Sequence, residues 1–317
     1  MSLWDKLWKF VQPRANRDLP STPEKRPEEL PAIGATPTRA GEVEPVVEAL
    51  ELEISLQTDP GMVRTNNEDR GVYKRPGDPE TAANKGTLIV VADGMGGASA
   101  GEVASEMAIR IIPELYYSSP QAPALAVKEA LESASSEIHR AAQADPELRG
   151  MGTTCVAMAI LQSEAFVAYV GDSRLYLLRN GNFYQLTEDH TVVGEMVRNG
   201  IITREQARNH EERNVLSLSL GGRPEITASY WEKPMIVQSG DLLLACTDGL
   251  HDLVSDSEMQ AIIADSPADV AVKNLIEAAK RHGGHDNITA ALVHVRSTHV
   301  ELDTVSKPTR ELSISSE

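Results

Sequence analysis

The chain has 317 residues, of which 47 are acidic and 30 basic, so its formal net charge at pH 7 is −17. This balance argues against nucleic acid as the main partner, because binding a phosphate backbone requires clustered cations. The 41% hydrophobic content is enough for a sizeable core, and no apolar run approaches the roughly 18 residues of a transmembrane segment. Both cysteines, Cys155 and Cys246, lie in apolar runs, which favours reduced core residues of a cytoplasmic protein over a disulfide.

The first 50 residues differ in composition from the rest of the chain. Residues 1–12 have an apolar helical face made of Leu3, Trp4, Leu7, Trp8 and Val11. Such a short amphipathic segment fits docking on a partner, on the rest of this chain or on a membrane surface, and an idle terminus is the alternative. Residues 13–50 are rich in Pro, Glu, Arg and Thr without a hydrophobic period, which is typical of a disordered linker.

From Leu52 onward the hydrophobic pattern predicts alternating strands and helices. Strands are predicted from 52, from 72, and at 88–92, 155–160, 165–170, 175–178, 183–186, 241–246 and 288–295. Helices are predicted at about 100–115, 122–143, 191–199, 256–264 and 267–282. Pro76 to Lys85 is predicted as a turn region, residues 195–238 as a flap over one edge of the core, and residues 298–317 as a disordered tail.

Four aspartates stand beside glycine-bearing turns at the ends of apolar strands: Asp93, Asp172, Asp248 and Asp286. A single aspartate of this kind could equally be a turn residue that caps the following helix. A phosphate-binding glycine loop at residues 94–97 is disfavoured, because no Lys-Ser/Thr pair follows Gly97. Four clustered carboxylates would repel one another, so clustering implies bound cations. Oxygen ligands without a nearby His/Cys set favour Mg²⁺ or Mn²⁺ over Zn²⁺.

The chemistry of such a cluster suggests phosphoryl transfer. Two divalent ions about 4 Å apart share a water molecule, lower its pKa and promote in-line attack on phosphorus. Arg64 offers a planar fork for a substrate phosphate. Arg64, Glu68 and Asp69 lie within six positions of one turn-rich loop. The alternative to a phosphate-binding role is that this loop is simply solvated and contains a local ion pair.

The motifs, in their order along the chain, resemble those of the metal-dependent protein phosphatases of type 2C in their bacterial form. They are Arg64-Thr65-Asn66-Asn67-Glu68-Asp69, Val91-Ala92-Asp93-Gly94-Met95-Gly96-Gly97, Gly152-Thr153-Thr154, Gly171-Asp172-Ser173-Arg174, Leu186-Thr187-Glu188-Asp189-His190, Thr247-Asp248-Gly249-Leu250 and Asp286-Asn287. Each is weak alone, but together they are specific. The resemblance implies an α+β fold, a four-layer αββα sandwich of two antiparallel sheets flanked by helices, with a catalytic domain at 51–297.

The resemblance also implies an activity. The family hydrolyses phosphoserine and phosphothreonine in proteins, reversing serine/threonine kinase signalling, by direct attack of a hydroxide that bridges two Mn²⁺ or Mg²⁺ ions. By resemblance, Asp93 bridges the two ions and the Gly94 carbonyl binds one of them. Asp248 and Asp286 complete the shell of the first ion, and Asp172 binds a third ion.

The remaining implied roles concern the substrate and the surroundings of the ions. Arg64 would hold the substrate phosphate, Glu68 and Asp69 would orient metal-bound waters, and Asp189 and His190 would give structural support. Met95 stands where some members have a histidine proposed as the general acid, which leaves a metal-bound water as the favoured proton donor.

The flap also departs from the family pattern, because Ser217-Leu218-Ser219-Leu220-Gly221 replaces an expected Thr-Arg-Ala-Leu-Gly, which bears on substrate preference. Two other hypotheses remain open. A catalytically dead relative that binds phosphoproteins would have lost a metal carboxylate, and none is lost here. A tethered enzyme would use residues 1–12 to reach one client.

Overall fold

The computed structural model describes residues 49–96, 100–208 and 210–298. The predicted N-terminal segment (1–12), nearly all of the linker (13–50), Gly97 and the predicted tail beyond residue 298 lie outside the described residues. The described strands are β1 (Ala49–Asp59), β2 (Asp69–Lys74), β3 (Thr87–Met95), β4 (Gly152–Thr153), β5 (Cys155–Leu161), β6 (Glu164–Val170), β7 (Arg174–Arg179), β8 (Asn182–Gln185), β9 (Ser229–Tyr230), β10 (Met235–Ile236), β11 (Leu242–Cys246) and β12 (Ile288–Thr298).

The described helices flank these strands along the chain. They are α1 (Pro79–Lys85), α2 (Ala100–Ser118), α3 (Pro123–Ala144), α4 (Val192–Arg198), α5 (Arg204–Arg208), α6 (Asp248–His251), α7 (Asp256–Ala264) and α8 (Ala268–Arg281). None of these helices combines the length and apolar character that a membrane-spanning helix needs.

The strands form two antiparallel sheets. One has five strands in the order β1-β12-β11-β7-β8. The other has seven, in the order β10-β6-β5-β3-β2, with β4 beside β3 and β9 beside β6. Helices cover the outer face of each sheet. The predicted four-layer sandwich of α+β class is therefore confirmed.

Alternation along β3 shows how the layers arise. Its residues Leu88, Val90 and Ala92 belong to the apolar cluster shared with α2 and α3, whereas Ile89 and Val91 belong to the cluster between the two sheets. Successive side chains of a strand point to opposite faces, so one apolar run serves both clusters. A third apolar cluster joins the five-stranded sheet to α7 and α8.

Most predicted elements are confirmed with small shifts at their ends, but the prediction of a turn region at Pro76 to Lys85 was wrong. This segment contains α1. Asp78 caps the helix by accepting a hydrogen bond from the Thr81 N–H at 2.8 Å, and Pro79 takes a position where its missing N–H is harmless. Both signals are present in the sequence.

The segment predicted as a flap has less regular structure than the rest of the described chain. It contains α5 and most of α4, and it ends in β9 and β10. These two short strands pair with β6 at the edge of the seven-stranded sheet. Farther back, the backbone of Leu220 exchanges two hydrogen bonds with Thr153 of β4, which places this part of the segment beside the end of β3.

Candidate active site

Strand register brings the predicted aspartates to one end of the sandwich. The end of β11 lies opposite the beginnings of β7 and β12. Asp248 follows β11, while Asp172 precedes β7 and Asp286 precedes β12. In the other sheet, Asp69 at the start of β2 lies directly opposite Asp93 in β3. The ends of these five strands, with the turns that follow or precede them, therefore lie at the same end of the sandwich.

Burial and mutual repulsion both act on these carboxylates. Burial is the largest cause that raises the pKa of Asp93 well above its ordinary value, and the charges of Asp69, Asp248 and Asp172 raise it further. Burial also raises the pKa of Asp172 to about 7, with a contribution from Asp248. The pKa of Asp248 is raised by burial first, and Asp286 adds to the effect. A cation in this cluster would offset the repulsion.

Asp69 lies buried at the base of the cluster. Its Oδ2 accepts a hydrogen bond from the Thr247 hydroxyl at 2.8 Å, whereas its Oδ1 has no hydrogen-bond partner among the described residues. Burial raises the pKa of Asp69 to about 7. Buried carboxylate oxygens are normally paired, so the free oxygen fits a residue that orders the coordination shell of a cation.

Arg64 lies at the rim of the cluster. Its Nη2 donates to Asp286 Oδ2 at 2.8 Å, and the two side chains are 51% and 41% exposed. The pKa of Glu68 is raised mainly by burial. The charge of Arg64 lowers this pKa and the charge of Asp286 raises it. The predicted phosphate-binding arginine is thus next to a predicted metal ligand that lies more than 200 positions later in the chain.

Gly94 allows α2 to approach the end of β3. A Cβ atom at Gly94 would lie 2.1 Å from the Gly101 carbonyl oxygen and 2.6 Å from that of Glu68. The Gly94 N–H donates to the same Glu68 carbonyl at 3.1 Å. No side chain fits there, so the glycine after Asp93 is required by backbone packing, and this packing fixes the position of the neighbouring carboxylate.

Asp189 and His190 have structural partners. Arg174 donates to Asp189 through a fork with distances of 2.9 and 2.6 Å. His190 Nδ1 accepts from the Gly171 N–H at 3.1 Å, and its Nε2 lies 3.0 Å from the Ser229 hydroxyl. Burial lowers the pKa of His190 to about 4, so the ring is neutral at pH 7. These contacts brace the turn before β7.

Comparison with known proteins gives the family. A family model described as Protein phosphatase 2C matches residues 80–292. The chain belongs to the protein phosphatase 2C family. It is 38% identical over 257 residues to Protein phosphatase PhpP of Streptococcus pneumoniae, which covers 79% of this chain and 100% of the relative.

Solved structures of similar chains support the same assignment. The serine/threonine phosphatase PstP/Ppp of Mycobacterium tuberculosis has a TM-score of 0.69 and 34% identity, covering 77% of this chain and 99% of its own. A PstP catalytic domain in complex with two manganese ions has a TM-score of 0.67 and 33% identity, covering 78% of this chain and 99% of its own. The manganese ions belong to that structure.

The donor set of this protein phosphatase 2C member fits a hard divalent cation, because the candidate ligands are all oxygen donors: Asp93, the Gly94 carbonyl, Asp172, Asp248 and Asp286. Among the described residues, no group of three or more His, Cys, Asp or Glu side chains is already arranged to hold a metal ion. The charge of Asp248 is close enough to Asp93 to raise its pKa, and Asp286 is paired with Arg64. The candidate ligands are thus neighbours whose side chains would have to turn to reach a shared ion.

Asn287 has a structural role in this site that the sequence did not reveal. Its Oδ1 accepts from the Glu68 N–H at 2.7 Å, and its Nδ2 donates to the carbonyls of Asn66 and Pro60 at 2.9 and 3.1 Å. One amide thereby clamps the whole loop that carries Arg64. In the sequence, Asn287 stood out only because it follows Asp286 in a motif that matches the family. That position did not indicate that its amide holds the loop of Arg64.

His251 was missed altogether. Its buried imidazole has Nε2 at 3.1 Å from the backbone oxygen of Asp172 and Nδ1 at 3.3 Å from Asp252 Oδ1. The residue lies one helical turn after Asp248, a spacing that places it on the same side of α6. The ring connects the turn of Asp172 with the helix that begins at Asp248.

Proposed function

We propose that this protein is a serine/threonine protein phosphatase that hydrolyses phosphomonoesters with two bound divalent cations, Mn²⁺ or Mg²⁺. The observation that carries the proposal is the convergence of four aspartates and one arginine at the same end of the sandwich. The names of the similar proteins, which include serine/threonine phosphatases, support the same activity.

The cations would be held by the chain's own oxygen ligands. Asp93 and the Gly94 carbonyl, Asp248 and Asp286 would hold the first two, and Asp172 would hold a third. When bound, such a pair supplies an activated water molecule and stabilises negative charge on the phosphate. Ionised carboxylates bind metal better than protonated ones, so the raised pKa values of the cluster couple cation binding to proton release.

Arg64 would bind the substrate phosphate through its guanidinium fork. Its present partner is Asp286, and both side chains are about half exposed. An exposed ion pair of this kind contributes only about 0.2–1 kcal/mol. Little therefore opposes the exchange of the carboxylate for a phosphate group, which leaves Asp286 free to turn toward a cation.

Glu68 and Asp69 would order the water around the cations. Asp69 is held by Thr247 through one oxygen and has the other available. The Glu68 backbone is fixed from three directions, because its N–H donates to Asn287 and its carbonyl accepts from Gly94 and Ser105. Because the backbone is held rigidly, the polar groups of the site are already oriented and have to move less before the chemical step.

The test is Mn²⁺-dependent release of phosphate from a phosphothreonine peptide, with EDTA as the metal-free reference. We expect Asp93→Ala, Asp248→Ala and Asp286→Ala each to lower turnover by at least ~100-fold, more than the ~10–100-fold typical of residues that only support a ligand. Asp265→Ala, which alters an exposed carboxylate after α7, is the matched control. Near-normal Mn²⁺-dependent turnover by Asp248→Ala would overturn the two-cation proposal.

Asp172→Ala separates the third ion from the first two. We expect lower activity but two ions still bound, as counted by titration calorimetry with Mn²⁺. If Asp172→Ala binds as many ions as the unaltered protein and keeps normal activity, Asp172 is not part of the site. A catalytically dead phosphoprotein-binding relative would instead give no phosphate release from the unaltered protein under any metal condition.

We further propose a cytoplasmic enzyme that acts on phosphorylated proteins and whose catalytic domain occupies about residues 51–297. The two free cysteines, both buried, suit a reducing compartment. Within this organisation residues 1–12 would bind a docking partner or a membrane surface, the predicted linker would end at residue 48, before β1, and the tail would begin at residue 299, after β12. The sequence of residues 1–12 supports this use, because an apolar stripe with two tryptophans would invite aggregation if it were left exposed.

A further inference from the structure

Two exposed apolar side chains lie directly before the proposed phosphate-binding arginine. Met62 is 64% exposed and Val63 is 63% exposed. The other large apolar side chains that are exposed in the described ranges are Tyr73, Leu125, Ile201, Val215 and Val270, and no two of them are adjacent in sequence. Single exposed apolar residues are ordinary on protein surfaces, so an adjacent pair beside a reaction site is more informative.

The pair lies on a loop whose backbone is fixed. Gly61 has φ +77, and its N–H donates to Asp59 Oδ1 at 2.8 Å. The Met62 N–H donates to the Gly284 carbonyl at 2.8 Å. A Cβ atom at Gly61 would lie 2.2 Å from the Asp286 carbonyl oxygen, so the loop packs tightly against the turn that carries Asp286. The apolar pair is thus presented in one position beside the site.

The charges near the pair are already matched. Asp59 accepts from Lys280 Nζ at 3.2 Å as well as from Gly61, and Arg64 is paired with Asp286. The carboxylates of Asp59 and Asp286 are therefore both paired, and the surface next to Arg64 presents two apolar side chains although the chain has a net charge of −17. An apolar substrate group would lose less solvation there than a charged one.

The position of the pair matches the residues that flank a phosphorylated residue in a substrate. Consecutive Cα atoms are about 3.8 Å apart, so the backbones of Val63 and Met62 lie within about 8 Å of that of Arg64. Residues next to a phosphorylated residue are likewise about 3.8 Å from it, Cα to Cα. An extended substrate segment that places its phosphate on Arg64 and runs toward Met62 therefore brings an adjacent side chain to this loop.

We propose that Met62 and Val63 form a contact surface for an apolar side chain next to the phosphorylated residue, so that the enzyme prefers phosphoproteins with an apolar neighbour at that point. This inference rests on the proposed function, because it assigns a specificity to the same site. A hydrophobic pocket changes kcat/KM by roughly tenfold or more for each methylene group. A single contact that stays partly open to water is expected to give less, roughly five- to tenfold.

The experiment uses the full chain with Mn²⁺ and three phosphothreonine peptides of equal length. Their residues on both sides of the phosphothreonine are leucine, alanine or glutamate. For the unaltered protein we expect kcat/KM for the leucine peptide to exceed that for the alanine peptide by roughly fivefold, mainly through KM, and the glutamate peptide to be the poorest. p-Nitrophenyl phosphate, which has no flanking residue, reports on the reaction site alone.

The variants are Met62→Gln and Val63→Thr, which keep the approximate side-chain size and remove apolar surface. We expect each to bring the leucine-to-alanine ratio toward one. Val270→Thr makes the same chemical change at an exposed valine in α8, 42% exposed, and is expected to keep the ratio of the unaltered protein.

The outcomes separate the two proposals. Hydrolysis of all the peptides without preference for leucine would overturn this inference and leave the proposed function intact, as would an unchanged ratio in both Met62→Gln and Val63→Thr. Failure of the unaltered protein to hydrolyse even p-nitrophenyl phosphate would overturn the proposed function and this inference with it.

Discussion

Gly249 offers a test of how the backbone positions the candidate active site. It is the second residue of α6, directly after Asp248. A Cβ atom built on it would lie 1.9 Å from the carbonyl oxygen of Asn287 and 2.9 Å from the carbonyl carbon. This close approach joins the turn after β11 to the turn before β12. Gly249→Ala therefore inserts one methyl group between the turns that carry Asp248 and Asp286.

Two opposing effects determine the result. Alanine in place of glycine within a helix is normally favourable by up to about 1 kcal/mol. Contacts of a Cβ with backbone atoms essentially never fall below 3.0 Å, so one backbone must move by about 1 Å. Overpacking of this kind typically costs about 1–3 kcal/mol. The methyl group meets backbone and not a flexible side chain, so the clash wins, and we expect a net loss of about 1–2 kcal/mol in the free energy of unfolding.

The larger effect is expected on activity. Asp248 and Asp286 each lie one residue from the clash, and a misplacement of 1 Å in a reaction site costs about 100-fold in rate. The assays are urea unfolding and Mn²⁺-dependent hydrolysis of p-nitrophenyl phosphate. Gly77→Ala is the control, because a Cβ at Gly77 meets nothing within 4 Å. Normal turnover by Gly249→Ala, whatever its stability, would refute the idea that this contact sets the spacing of the two carboxylates.

Three further predictions concern the substrate, the pH and the N-terminal residues. Arg64→Lys keeps the charge but loses the fork, and a charged hydrogen bond is worth about 1.5–3 kcal/mol, so we expect KM for a phosphopeptide to rise and kcat/KM to fall roughly tenfold or more. Unchanged constants would remove Arg64 from the phosphate site. The pKa of His190 is lowered to about 4, chiefly by burial, from an ordinary 6.5, so the unfolded chain binds the extra proton first as the pH falls. Between pH 6.5 and 4 the unaltered protein should therefore lose about 3 kcal/mol of stability relative to His190→Gln, and parallel pH profiles of urea unfolding would contradict this. Deletion of residues 1–48, which stops before β1, should change turnover of p-nitrophenyl phosphate by less than twofold, and a larger loss would show that these residues contribute to the catalytic domain.

Local patterns in the sequence predicted most of the fold. The apolar run of β3 and the helical stripe of α3 depend on residues close together in the chain, and such hydrophobic patterns report local burial directly. The resemblance of seven ordered motifs then placed Asp93, Asp172, Asp248 and Asp286 in one family pattern. The helix α1 was missed although Asp78 and Pro79 signal its start, because its short length gave no apolar stripe.

Contacts between distant parts of the chain could not be predicted. The amide of Asn287 binds the backbone of Glu68 across 219 positions, and His251 reaches the carbonyl of Asp172 across 79. Neither contact leaves a periodic trace, because a side chain that binds backbone atoms places almost no demand on the identity of its partner. The pairing of Arg64 with Asp286 joins two side chains that were each identified alone, and their contact could not be predicted because they lie 222 positions apart in the chain.

The position of the two sheets relative to each other is what brings the site together. Asp69 and Asp93 belong to the seven-stranded sheet, whereas Thr247 and Asn287 adjoin strands of the five-stranded one. Apolar packing between the sheets stabilises the sandwich, but it is non-directional and tolerates small sliding movements. Hydrogen bonds depend steeply on distance and angle, and two of them cross at this end of the sandwich, from Thr247 to Asp69 and from Glu68 to Asn287. The core therefore provides the stability, and these polar contacts set the spacing of the carboxylates that catalysis would require.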